Sequence, residues 1–171
     1  MRRDKLRRLL KDVGRDPPMT KVALNDIGNP NGVRKQLQAA FEASLRGHES
    51  TDKLIGRFQK IVNMSRSRAA TIAQTERTRS ANMARLKAAL EKHLAEADEA
   101  ARRHRKKPPP PLFQWVNPLT AMEPRHEHVA ISGDVQEAGE EFLPGLRFPG
   151  DPHGPLHQTI NCHCYIRRVV R

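Results

Sequence analysis

Residues 160–165 read Ile160-Asn161-Cys162-His163-Cys164-Tyr165 and hold both cysteines of the 171-residue chain. In an extended segment successive side chains alternate, so Cys162 and Cys164 share one face and His163 turns away. Upstream lie Trp115, Arg125-His126-Glu127-His128, Gly133, Phe142, the turn Pro149-Gly150-Asp151-Pro152, His153 and His157. Beyond Pro111 glycines and prolines are frequent and apolar runs are short. That pattern predicts a small, loop-rich sheet with strands near 113–116, 128–131, 141–143 and 165–170. Its core candidates are Trp115, Val129, Ile131, Phe142, Leu146, Phe148, Ile160, Ile166 and Val169. So small a module needs a metal or a supporting set of helices.

Two thiolates on one face, with histidines nearby, supply part of a tetrahedral zinc site. His128 is the third candidate ligand, and Asp151, His153 and His157 compete for the fourth place. The single-residue spacing of the cysteines differs from the two to four residues usual in zinc fingers. Small buried thiols are the plainer alternative. A cysteine nucleophile assisted by His128 or His157 is a third reading. A histidine–metal nuclease lacks a carboxylate cluster to hold its metal. A disulfide between cysteines this close would be strained.

Upstream of the prolines the chain is a helical platform. Residues 2–12 alternate Arg and Lys with Leu and read as a short basic amphipathic helix, stopped by Gly14 and Pro17-Pro18. As a terminal helix it is expected to be solvated. Residues 25–32 form a turn-rich loop. A helix over 32–46 carries the stripe Val33, Leu37, Ala40, Phe41 and Leu45, with Gly47 as its C-cap. Ser50-Thr51-Asp52 caps the next helix, which buries Leu54, Ile55, Phe58, Ile61 and Val62.

A long helix then spans about 65–107 on the stripe Ala69, Ile72, Ala73, Glu76, Met83, Leu86, Leu90, Leu94, Ala97 and Ala101. Glu76 is a carboxylate in an apolar register. Burying it unpaired is costly, so it needs a cation, and Arg125 and Arg79 are the candidates, Arg125 first. Residues 88–107 are rich in Ala, Glu, Lys, Arg and Leu and read as solvent-exposed or coiled. Four prolines, Pro108–Pro111, stop the helix and form a stiff spacer. The expected organisation is α+β: a basic N-terminal helix and loop (1–32), a helical platform with a long helix (33–107), the spacer (108–111), and a small loop-rich β module (112–171) packed on the platform.

Only 37% of residues are hydrophobic, 4% are aromatic and 29% are charged, which is thin for a compact globule. The formal net charge is +12, so the surface attracts anions such as nucleic acid or an acidic protein. Arg2, Arg3, Arg7 and Arg8 at one end, and Arg102, Arg103, Arg105, Lys106 and Lys107 at the other, are the candidate nucleic-acid contacts. No apolar run approaches the roughly 20 residues of a membrane span, and no apolar signal core follows Met1, so cytosolic synthesis is expected.

The order of these features resembles a known family. Ile72-Ala73-Gln74-Thr75-Glu76, with Arg79 and Asn82 following, is similar to the I-A-x-T-E…N helix of phage Mu F-like minor head proteins, also called head-morphogenesis proteins. The resemblance continues through Trp115, Arg125-x-x-His128, Gly133, Phe142, Pro149-Gly150-Asp151-Pro152 and Asn161-Cys-x-Cys164, and covers roughly 41–171. His163 stands where the family usually has arginine, and 88–111 looks like an insertion. Members often have a longer N-terminal region, so the chain reads as a short form or a piece of a longer frame. The resemblance implies a minor virion component, and the first reading is a non-enzymatic protein with no cofactor other than a possible zinc; the alternative is a zinc-stabilised DNA-binding module or a toxin-like or nuclease enzyme derived from the same module. The resemblance implies portal, capsid or scaffold proteins as partners, contact with double-stranded DNA during packaging or ejection, and no membrane. It places the protein in the host cytoplasm during assembly and then in the virion, inside the head or at the portal vertex.

Overall fold

A computed structural model describes residues 3–15, 30–119 and 123–170. The elements in order are α1 (Arg3–Arg15), α2 (Pro30–Arg46), α3 (Thr51–Val62), α4 (Arg66–Arg102), β1 (Leu112–Val116), α5 (His126–Ala130), β2 (Val135–Glu137), α6 (Leu156–Thr159) and β3 (Tyr165–Val169). The described residues are mostly helical, with a long helix and a small antiparallel sheet near the C-terminus. The class is therefore mixed α and β, as the sequence implies.

Helix α4 is the spine. Ser65 starts it by accepting the Arg68 N–H at 3.2 Å, and its 37 residues give a length of about 55 Å. Its first half packs against the α2–α3 hairpin. Leu37, Phe41, Leu54, Ile55 and Phe58 meet Ala69, Ile72 and Ala73 there, and the two alanines let the helices come close. Ser50 caps α3, and Asn63 ends it in the left-handed conformation with its N–H on Gln59 O. Arg77 ties the hairpin turn to α4 by donating to Ser44 Oγ at 3.2 Å and to Glu49 O at 2.8 Å.

The second half of α4 differs from its expected exposed character. Leu86, Ala89, Leu90 and Leu94 form one core with Leu6, Leu9 and Val13 of α1 and with Phe113, Ala138, Phe148 and Ile166 of the C-terminal region. The basic N-terminal helix is thus a core element and not a solvated end. Its leucines recur at helical spacing, and burying each stabilises by about 1.5–3 kcal/mol. Leu9 sits over Gly139, where a β-carbon would come within 2.7 Å of its Cδ2. Lys5 on the outer face pairs with Glu140 at 2.7 Å. Gly14 does not stop α1, which continues to Arg15; Pro17-Pro18 and the 25–29 part of the expected loop lie outside the described residues.

The sheet has the order β2-β1-β3, antiparallel throughout. Phe113 and Trp115 alternate inward along β1, and Ile166 lies opposite Trp115. Two expected strands are absent. Residues 126–130 form the short helix α5 after Pro124, and Val129 points outward at 40% exposure. Residues 141–143 make only an isolated bridge, Leu143 to Leu146. The strand β2 was not expected, because Val135-Gln136-Glu137 is short and polar.

Helix α4 ends at Arg102, five residues before Lys107. The prolines are not a free spacer. Pro108–Pro111 border a surface cleft of about 220 Å³ together with His93, Glu96 and the end of β3. Pro111 O accepts the Ala138 N–H at 2.9 Å, so the proline run leads directly into the sheet. Among the described residues no helix is long and apolar enough to cross a membrane.

Candidate functional site

The C-terminal segment is latched onto one face of α4 by side chains one helical turn apart. Thr75 Oγ1 accepts the Asn161 N–H at 2.8 Å. Thr78 Oγ1 donates to Cys162 O at 2.6 Å. Asn82 uses both ends of its amide: Nδ2 donates to Pro149 O at 3.0 Å and Cys164 O at 3.3 Å, and Oδ1 accepts the Ile166 N–H at 3.0 Å. These three side chains are buried. They supply hydrogen-bond partners to the backbone of the tail as it enters β3, which is how irregular backbone survives inside a protein. Sequence reasoning expected the module to pack on the platform but missed Thr78 and the hydrogen bonds that hold it there; the 75, 78, 82 spacing of polar residues on a helix was the available signal.

Glu76 and Arg79 lie within this interface at 0% and 2% exposure, with Arg79 Nη1 3.5 Å from Glu76 Oε2. The carboxylate therefore meets the cation one turn along its own helix, and not Arg125. Arg125 Nε donates to His157 O at 2.6 Å and its Nη2 to Ile160 O at 2.7 Å. Both carbonyls belong to the region of α6, whose end leaves carbonyls without helical partners. Gly150, with φ +79°, presses on Arg79; a β-carbon there would meet Arg79 Cα at 3.0 Å and N at 3.2 Å.

Beneath the latch lies a buried nitrogen–sulfur cluster. His128 Nδ1 is 3.6 Å from Cys162 Sγ and 3.6 Å from Cys164 Sγ. All three residues are buried, and the ligand atoms lie within 4.8 Å of one another. The Trp115 ring stands edge-on to the imidazole at 5.0 Å, and Leu146 and Phe142 complete the apolar wall. The thiols form no disulfide. A hydrogen bond from Cys164 brings Cys162 down to about 5, against the opposing effect of burial. The same contact, together with burial, pushes Cys164 far up. The indole N–H of Trp115 faces Cys164 and opposes that rise without reaching hydrogen-bond geometry. His163 is half-buried and outside the cluster.

None of the three expected fourth ligands joins this cluster. Asp151 is fully buried, but Arg147 grips it at 2.7 and 3.0 Å and the His153 N–H reaches it at 3.0 Å. It closes the turn after Phe148 as a structural carboxylate. His153 and His157 are exposed.

The basic candidates scatter. Arg2 and the Arg3 side chain lie outside the described residues. Arg7 is exposed and pairs with Asp98 at 3.7 Å, which sets α1 beside the end of α4; Arg8 is exposed. Arg103 pairs with Glu99 at 2.8 Å, while Arg102, Arg105, Lys106 and Lys107 are exposed. A cationic cleft that sequence reasoning missed lies elsewhere. Arg85, Lys92 and Arg168 rim a cleft of about 280 Å³ floored by Ala88, Ala89 and Phe113. Its residues come from α4, β1 and β3, so only the fold brings them together. No protein-family model matches the chain, and no match is found among curated proteins or solved structures.

Proposed function

We propose that this protein is a non-enzymatic minor component of a phage head, acting in head morphogenesis at the portal vertex. It is built in the host cytoplasm and carried into the virion, with portal, capsid or scaffold proteins as its partners. One observation carries the reading. The residues behind the family resemblance meet in space: Thr75, Glu76, Arg79 and Asn82 on the helix side, Gly150 and Asn161–Cys164 on the tail side. Thr75 and Asn82 bond the backbone of the tail, and Glu76 faces Arg79 beside them, an arrangement suited to holding a shape. Co-expression with the portal protein from the same phage genome tests the reading. Co-elution of the two proteins as one complex is the expected result, and separate elution at micromolar concentration would contradict it.

DNA contact is a part of this proposal that the cationic cleft favours. Three cations over an apolar floor suit a phosphate backbone. Replacing Arg85, Lys92 and Arg168 with glutamine is expected to weaken binding to duplex DNA. It should also flatten the salt dependence by about 0.9 per lost phosphate contact. An unchanged slope of log affinity against log salt would remove the cleft from the interface.

A further inference from the structure

The cluster of His128, Cys162 and Cys164 has the dimensions of a coordination sphere. Around a tetrahedral zinc ion, bond lengths of about 2.3 Å to sulfur and 2.0–2.1 Å to nitrogen put neighbouring S and N atoms about 3.5 Å apart. His128 Nδ1 is 3.6 Å from each sulfur. Like distances from one nitrogen to both sulfurs fit the geometry that a shared central ion would give.

The surroundings hold these donors in place independently of any ion. The carbonyl of Cys162 is held by Thr78, and that of Cys164 by Asn82. Arg125, at the start of α5, ties the His128 helix to the same tail through two carbonyls. Trp115 packs against the imidazole, and Leu146 lies in the same apolar cluster as both cysteines. The donors are thus fixed from three sides in a dry, apolar setting, where thiolates favour soft ions over magnesium or calcium. The hydrophobic cluster here is small: Trp115, Leu146 and the cysteines themselves are its buried members. Cores this slight commonly depend on a structural metal.

We propose that His128 Nδ1, Cys162 Sγ and Cys164 Sγ bind one thiophilic d10 metal ion. Zinc(II) would complete its four-fold shell with an exogenous ligand, and copper(I) would be held by the three donors alone. The ion fastens α5 to the C-terminal tail. The site is independent of the phage-head reading and stands or falls separately.

The test uses the full chain, purified under reducing conditions without a metal-affinity step. Elemental analysis is expected to find about one zinc or copper per chain, as for a structural site. Cobalt(II) added to metal-stripped protein should give thiolate-to-cobalt charge-transfer absorption, which the C162S/C164S variant loses. Should that variant fail to fold, wild-type protein still decides the matter: chelation should lower its melting temperature, and added zinc should restore it. Absence of zinc and copper together with absence of the cobalt band would overturn the proposal. So would bound metal without thiolate absorption, since that places the ion on surface histidines.

Discussion

Asn82 is the residue on which most of the C-terminal geometry converges. Its amide satisfies Pro149 O, Cys164 O and the Ile166 N–H. An apolar side chain of similar size leaves all three without their partner in the interior. Each buried polar group left unsatisfied costs about 1–3 kcal/mol, so Asn82→Leu is expected to lose on the order of 3 kcal/mol or more in denaturant unfolding. A loss below about 1 kcal/mol would mean that water replaces the amide. Glu76→Ala should be comparably severe, about 3–5 kcal/mol, because it removes one member of the buried ion pair with Arg79. Its melting curve checks this, and a wild-type curve would contradict it. The burial of Glu76 was legible from helical periodicity, since its position fell in the apolar stripe. Its partner was legible only as one of two candidates, Arg79 and Arg125, with Arg125 placed first. Arg125 was a reasonable guess from the chemistry alone, but the carbonyls near the end of α6 had the stronger geometric claim on it. Nothing in the linear order of residues reveals where those carbonyls come to rest.

At the scale of elements, periodicity read well where it was long and failed where it was short. The three helices α2, α3 and α4 follow from their apolar stripes and from Ser50 and Ser65 at their starts. The 128–131 strand failed because four residues carry too little pattern to separate strand from a single helical turn. Helix α1 is the instructive case. Its leucine stripe was visible, but its fate depended on whether the far half of α4 offered a matching surface. Ala89, Leu90 and Leu94 provide one. Leu6 is 2% exposed in that contact, so Leu6→Ala should cost about 2–5 kcal/mol in equilibrium unfolding. A solvated terminal helix would lose almost nothing, and that result would detach α1 from the core.

Across the whole molecule, one core draws residues from both sides of the proline run. Helix α4 serves two cores, one with the α2–α3 hairpin and one with α1 and the sheet. A third, smaller cluster holds the cysteines. This explains how a chain with 37% hydrophobic residues stays folded: a long scaffold distributes its apolar side chains over several thin contacts. The candidate nitrogen–sulfur site was half legible, since alternation placed Cys162 and Cys164 together and His128 was chosen as their neighbour. The cationic cleft was illegible, because Arg168 is distant in sequence from Arg85 and Lys92 and joins them only once β3 lies against α4. Electrostatic steering by such a surface extends about 8 Å at physiological salt.

The central structural claim is that side chains of α4 hold the backbone of the tail. Amide hydrogen exchange at Asn161 and Ile166 tests it most directly, because their N–H groups donate to Thr75 Oγ1 and Asn82 Oδ1. Both amides should exchange only through large-scale opening, orders of magnitude more slowly than an unprotected loop, and Thr75→Val should release Asn161. Exchange at both amides as fast as in an open loop would show that the tail is not held by the helix.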